Sequence, residues 1–127
     1  MNLLPLIKLT LLATLVLAFA CQSEPTTNGD LLVGRWQIQE ATRNGKPTES
    51  LDELYFEFYS DGKMRTNLSG SPEMATYQLE QNRILQRESR MEIDYEVEEL
   101  SDSILTLKTS LRGFTFRFAL DREVQEK

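Results

Sequence analysis

Beyond residue 30, apolar side chains recur at every second position along the chain. In LYFEFYS, Leu54, Phe56 and Phe58 fall on one face of an extended segment and Tyr55, Glu57 and Tyr59 on the other, because successive strand side chains point to opposite sides. GFTFRFALDR repeats the scheme, with Phe114, Phe116, Phe118 and Leu120 alternating with Thr115, Arg117 and Ala119. The same rhythm runs through Trp36/Ile38, Met64/Thr66/Leu68, Ala75/Tyr77/Leu79, Met91/Ile93/Tyr95/Val97 and Leu105/Leu107/Thr109, and a short segment around Ile84 completes a set of eight strands. Turn chemistry separates them: Asn44-Gly45-Lys46-Pro47, Ser60-Asp61-Gly62, Gly70-Ser71-Pro72, Gln81-Asn82, Ser101-Asp102-Ser103 and Arg112-Gly113. Connections this short make neighbours antiparallel. Eight such strands with one apolar face can close into a barrel or split into a sandwich; closure leaves no exposed edge, and sequential hairpins suit an up-and-down meander. Single helical turns are expected at residues 30–33 and 50–53, too short to form a layer. The pattern therefore predicts an all-β fold, an eight-stranded antiparallel up-and-down β-barrel spanning residues 30–122, with 123–127 as a tail.

The first 29 residues follow a different rule. From Leu3 to Ala20 only Lys8, Thr10 and Thr14 interrupt an apolar run, and no acidic residue precedes Glu24. The stretch after Lys8 is shorter than the roughly 20 residues a membrane span requires and ends in small residues, which is the pattern of a secretory signal peptide at 1–20. Cys21, the single cysteine of the chain, follows directly. Leu17-Ala18-Phe19-Ala20-Cys21 resembles the lipobox of bacterial lipoproteins, and the resemblance implies that Cys21 becomes a lipid-modified N-terminus carrying diacylglycerol and further acyl chains such as palmitate. It also implies sorting to the outer membrane of the cell envelope, on its periplasmic or outer face, because Gln22 is not the aspartate of inner-membrane retention. Ala18-Phe19-Ala20 equally fits the A-x-A site of ordinary signal peptidase, which would cut the same bond and release a soluble protein. A lone exposed thiol on an exported protein invites intermolecular disulfides, which argues for the lipid anchor. Two or more acyl chains would hold the protein on a membrane stably. Residues 22–29, polar and without periodicity, read with Cys21 as a tether (21–29) reaching about 15 Å as a coil.

Gly34-Arg35-Trp36, at the opening of the first strand, resembles the G-x-W signature of lipocalins. Arg122 lies on the last strand in phase with Phe118 and Leu120. The resemblance implies that Arg122 packs across Trp36 and closes one end of the barrel, a cation over an indole contributing about 0.5–2 kcal/mol. Without the resemblance, Trp36 reads simply as a large core residue. The stretches LVGRWQIQEATRNGKP, FYSDGKM, TYQLEQNRIL and VEELSDSILTLK are also similar to small lipocalin-like lipoproteins of Bacteroidota, over residues 31–122.

Composition narrows the chemistry. The chain has 127 residues, 20 acidic against 14 basic, and a formal charge of -6; loss of residues 1–20 with Lys8 makes it -7. Such a surface repels phosphate backbones, so nucleic acid is not an expected partner. With no histidine and one cysteine, neither a catalytic triad nor the common zinc sites can be built, so no catalytic residue, metal or cofactor is assigned. One strand is markedly acidic: Glu92, Asp94, Glu96 and Glu98 take its outward positions with Glu99 beside them. Cross-strand pairing with Arg83, Arg87 and Lys108 makes this a solvated face. Calcium, a basic protein partner or a pair of acids for sugar hydrolysis are the alternatives.

An eight-stranded barrel is either filled by side chains or holds one small molecule. The inward set is mostly large, and Phe56, Phe58, Tyr77, Tyr95, Phe114 and Phe116 are the expected contacts for an apolar ligand. Tyr77 and Tyr95 need hydrogen-bond partners if buried. The expected function is non-catalytic binding of a small apolar ligand at the open barrel end; the alternative is an envelope scaffold with a solid core and an acidic partner-binding face.

Overall fold

A strand that buries one face must find neighbours for both of its backbone edges, and here the meander supplies them all around a ring. The structure, a computed structural model, describes residues 27–124; the signal segment, Cys21 and most of the tether lie outside the described residues. The elements are α1 (Gly29–Leu32), β1 (Gly34–Arg43), β2 (Lys46–Pro47), β3 (Tyr55–Phe58), β4 (Lys63–Thr66), β5 (Glu73–Glu80), β6 (Arg83–Arg87), β7 (Ile93–Leu100), β8 (Ile104–Leu111) and β9 (Phe114–Arg122). Each of β3 to β9 pairs with its sequence neighbour, β1 pairs with β3, and β1 with β9 closes the ring. The result is a closed eight-stranded antiparallel β-barrel. The two-residue β2 is an addition to it: Asn44 and Gly45, at φ 53 and 83, form a tight hairpin turn that lays Lys46 and Pro47 back along β1.

Residues 50–53 form turns rather than a helix, and Thr27, Asn28 and Gly29, read from sequence as tether, already belong to the folded part. Asn28 caps α1 by accepting from the Asp30 N–H, and the Thr27 N–H bonds the Gln81 carbonyl at 2.8 Å.

Two bulges shift the two-residue rhythm. One lies between Ile38 and Glu40, so Ala41 rather than Glu40 turns inward. The other, between Val97 and Glu99, leaves Glu98 and Glu99 both facing out and returns Leu100 to the core.

The fully buried large side chains concentrate in the half of the barrel near α1, and Ala41, Leu54, Ala75 and Ile93 continue the core toward the other end. Trp36, Phe56, Met64, Tyr95, Leu105, Leu107, Phe118 and Leu120 have no exposed surface. At about 1.5–3 kcal/mol for each large side chain removed from water, this packing drives the fold. An aromatic column runs down the inside: Phe114 to Phe116 (6.5 Å between centroids), Phe116 to Phe118 (6.0 Å), Phe118 to Phe56 (6.1 Å), and Phe56 edge-on to Tyr95 (5.4 Å).

Candidate functional site

The two barrel ends differ. One end gathers α1, the start of β1, the hairpins at 59–62 and 81–82, the loop 101–103 and the end of β9. There the Arg122 guanidinium lies 4.2 Å from the centroid of the Trp36 ring. Its Nε donates to the Asp102 carbonyl (2.7 Å), Nη1 to the Val33 carbonyl (2.8 Å) and Nη2 to the Leu31 carbonyl, while the Trp36 indole N–H donates to the Leu32 carbonyl (2.9 Å). One cation thus satisfies three carbonyls, two at the end of α1 and one in the loop 101–103, and caps the ring below it. Gly34 is part of the same seal: at φ +136 it passes so close to Arg122 that a Cβ would lie 2.3 Å from Nη1. This end is shut.

The opposite end is hollow. The turn at 44–45, the segment 48–53, the loops 67–72 and 88–92 and the turn at 112–113 surround a cavity of about 440 Å³. Leu51, Leu68, Met91, Leu111, Phe114 and Phe116 form its apolar wall, with Arg43, Arg90 and Arg112 at the rim. The Arg43 guanidinium sits 5.1 Å from the Phe114 ring centroid. Phe114 itself is 41% exposed, so this aromatic stands at the lip rather than deep inside.

Of the six aromatics expected to touch a ligand, only Phe114 and Phe116 line this cavity. Phe56, Phe58 and Tyr95 are packed in the core, and Tyr77 lies toward the sealed end, edge-on to Phe58 at 5.1 Å. The reason is geometric: inward alternation gives a residue's face but not its height along the barrel axis. Both tyrosines find partners. Tyr77 donates to the Tyr59 carbonyl at 2.7 Å, and Tyr95 to Gln86 Oε1 at 2.6 Å. Burial pushes the Tyr95 phenol well above its ordinary pKa, so it remains a donor. Gln86, a buried polar side chain, passes this order on. Its Nε2 donates to Ser89 Oγ (3.1 Å) and to the Met91 carbonyl (3.3 Å), which fixes the 88–92 loop and holds Met91 on the cavity wall. Gln86, Leu51, Leu68, Met91, Leu111 and the three rim arginines were not singled out by the sequence reading. The signal for the rim was available, since all three arginines lie at or beside strand connections that share one barrel end.

A second hollow, about 720 Å³, opens on the outer wall. It arises because the β7–β8 ladder stops at Glu96↔Lys108; beyond it the Thr109 hydroxyl donates to the Asp94 carbonyl in place of a backbone bond. Its surface is charged and internally compensated. Arg83 and Arg87 reach the two Asp94 oxygens at 2.7 and 2.9 Å. Farther along β7, Glu98 accepts both the Nε and Nη2 hydrogens of Arg117, at 2.6 and 2.9 Å. The Arg117 hydrogen bonds and charge hold the Glu98 carboxyl below its usual range. Desolvation pushes Asp94 up, but the Arg87 and Arg83 contacts outweigh it and its pKa also lies low. Arg117 was not among the partners expected from sequence, whereas Arg83 and Arg87 were. Of the acidic face, Asp94 and Glu98 pair with arginines of other strands, the expected partner Lys108 forms no ion pair among the described residues, and among those residues the carboxylates do not converge as metal ligands would.

A closed up-and-down barrel, sealed at one end by an arginine over a tryptophan and cupped at the other, has calycin architecture. The family model of the lipocalin-like domain matches residues 32–107, and the chain belongs to that family. In three dimensions it is similar to a lipocalin-like protein from Bacteroides uniformis, with a TM-score of 0.53 and 17% identity over 73% of this chain and 99% of that one. No curated protein matches the chain.

Proposed function

We propose that this protein is a non-catalytic binding module that holds one small, largely apolar molecule in the mouth of its barrel, and that Cys21 anchors it through lipid to the outer membrane. The observation that carries the binding reading is the cavity of about 440 Å³ with its mainly apolar wall, within the roughly 300–1,000 Å³ usual for small-molecule sites. The packed core beneath limits the ligand to this cup and excludes the deep enclosure that the six predicted aromatics would have formed. The alternative of an acidic docking face is less well supported, since Asp94 and Glu98, two of its charges, are already paired with arginines of the same barrel.

The experiment is a titration of the purified protein with a neutral, environment-sensitive naphthylamine probe. Saturable binding is expected. Leu111→Trp, which fills the cup, should weaken it by about tenfold or more, the scale of one large apolar group losing its place. Non-saturable binding, or binding indifferent to that substitution, would remove the mouth from consideration.

A further inference from the structure

The cavity lining carries a charge opposite in sign to the chain as a whole, although the loops around it also bear Glu49, Asp52, Glu53, Glu88 and Glu92. The formal net charge is -6, yet the cavity wall holds Arg43, Arg90 and Arg112 and neither aspartate nor glutamate. These arginines come from three separate places, the end of β1, the 88–92 loop and the β8–β9 turn, so no single helix or strand places them together by accident of spacing. None forms an ion pair with a described carboxylate, whereas Arg35, Arg83, Arg87 and Arg117 all do. Glu73, close to the rim, accepts from the Ser69 hydroxyl and the Arg90 backbone N–H, and these contacts together with the nearby Arg90 charge hold its pKa low.

Three permanent cations around a cup with a low-dielectric wall focus a positive potential into it. The guanidinium fork suits the paired oxygens of a carboxylate or phosphate. Apart from Ser50 and Ser69 the rest of the lining is apolar, so a ligand matching both zones has an oily body and an anionic head. We infer that the ligand is a single-chain anionic amphiphile whose carboxylate or phosphate head is received by Arg43, Arg90 and Arg112. This rests on the mouth being the binding site, as proposed above. The arginines supply selectivity: an uncharged analogue would fill the same cup without engaging the rim.

The test is competition against the neutral naphthylamine probe by dodecanoate, dodecyl phosphate, dodecanol and dodecyltrimethylammonium, all below their micelle-forming concentrations. Dodecanoate, dodecyl phosphate or both should displace the probe at roughly tenfold lower concentration than dodecanol, the scale of one charge-assisted hydrogen bond. The ammonium compound should be the weakest. Which of the two anions leads identifies the carboxylate or the phosphate source. Combined Arg43→Gln, Arg90→Gln and Arg112→Gln should bring the anion-to-alcohol ratio to about one, whereas Lys63→Gln, at the sealed end, should leave it unchanged. If the triple variant does not fold, the native protein still decides: the ratio should shrink as salt rises from about 0.02 to 0.5 M and screening shortens. Saturable probe binding with equal displacement by anion and alcohol, or a ratio indifferent to salt, would overturn the arginine role and leave the apolar cup standing. No saturable probe binding would overturn both.

Discussion

A methyl group at position 34 would lie 2.3 Å from Arg122 Nη1, on a backbone whose φ of +136 only glycine adopts readily. The G-x-W spacing is therefore a steric arrangement: the glycine lets the guanidinium lie flat over Trp36 while donating to the Val33 and Leu31 carbonyls beside it. Gly34→Ala should cost about 1–3 kcal/mol from overpacking and backbone strain, read as a lower midpoint in urea denaturation with little change in slope. A neutral outcome would mean that Arg122 swings aside freely and the seal is loose. The packing of Arg122 on Trp36 was implied by the resemblance to lipocalins, with Arg122 in phase with Phe118 and Leu120; the three carbonyls that the arginine gathers were not legible, because backbone carbonyls leave no mark in side-chain periodicity. Gln86 is a parallel case. The glutamine shares the inward face of Ile84 two residues earlier, and its position opposite Tyr77 in the β5–β6 register sets it where the Tyr95 hydroxyl meets it, a partner that alternation does not name.

Among the elements, β7 carries the most charge and the most irregularity. Glu98 keeps the outward position that alternation gives it and reaches Arg117 on β9, two strands away, while the bulge after Val97 brings Glu99 to the same outer face. Strict alternation could predict an acidic face but not which base each acid meets, since a bulge advances register by one residue. Glu98, Asp94 and Glu73 all have folded pKa values below their ordinary ones. Below the unfolded carboxylate range of about 4 the unfolded chain binds more protons, so stability is present above that pH and is lost as pH falls through the lower folded values. Thermal unfolding followed from pH 6 to 2 should show the melting temperature dropping below about pH 4.5. Arg117→Gln should melt lower than the native protein at pH 6 and converge with it near the acid end. Parallel curves at all pH values would place the acid sensitivity elsewhere.

For the whole molecule, strand count and closure follow from the two-residue rhythm, and the polarity of the barrel follows from counting its turns. In an up-and-down ring alternate connections share an end, so the connections after β1, β4, β6 and β8 all reach the mouth. That counting places Arg43, Arg90 and Arg112 together, although face alternation alone favoured the inward aromatics and so pointed to the core. Attachment is a property of the entire protein. On the anchoring proposed above, Cys21→Ser should move the protein from the membrane fraction to the soluble fraction in cell fractionation, and unchanged sedimentation would argue against anchoring by that residue.

The bond between the Thr27 N–H and the Gln81 carbonyl fixes where the polypeptide enters the barrel, and it does so at the sealed pole. If Cys21 is lipid-anchored as proposed, the attachment enters at the base of the cup, the pole opposite its opening. Cargo would then reach the cup from the side away from the point of attachment.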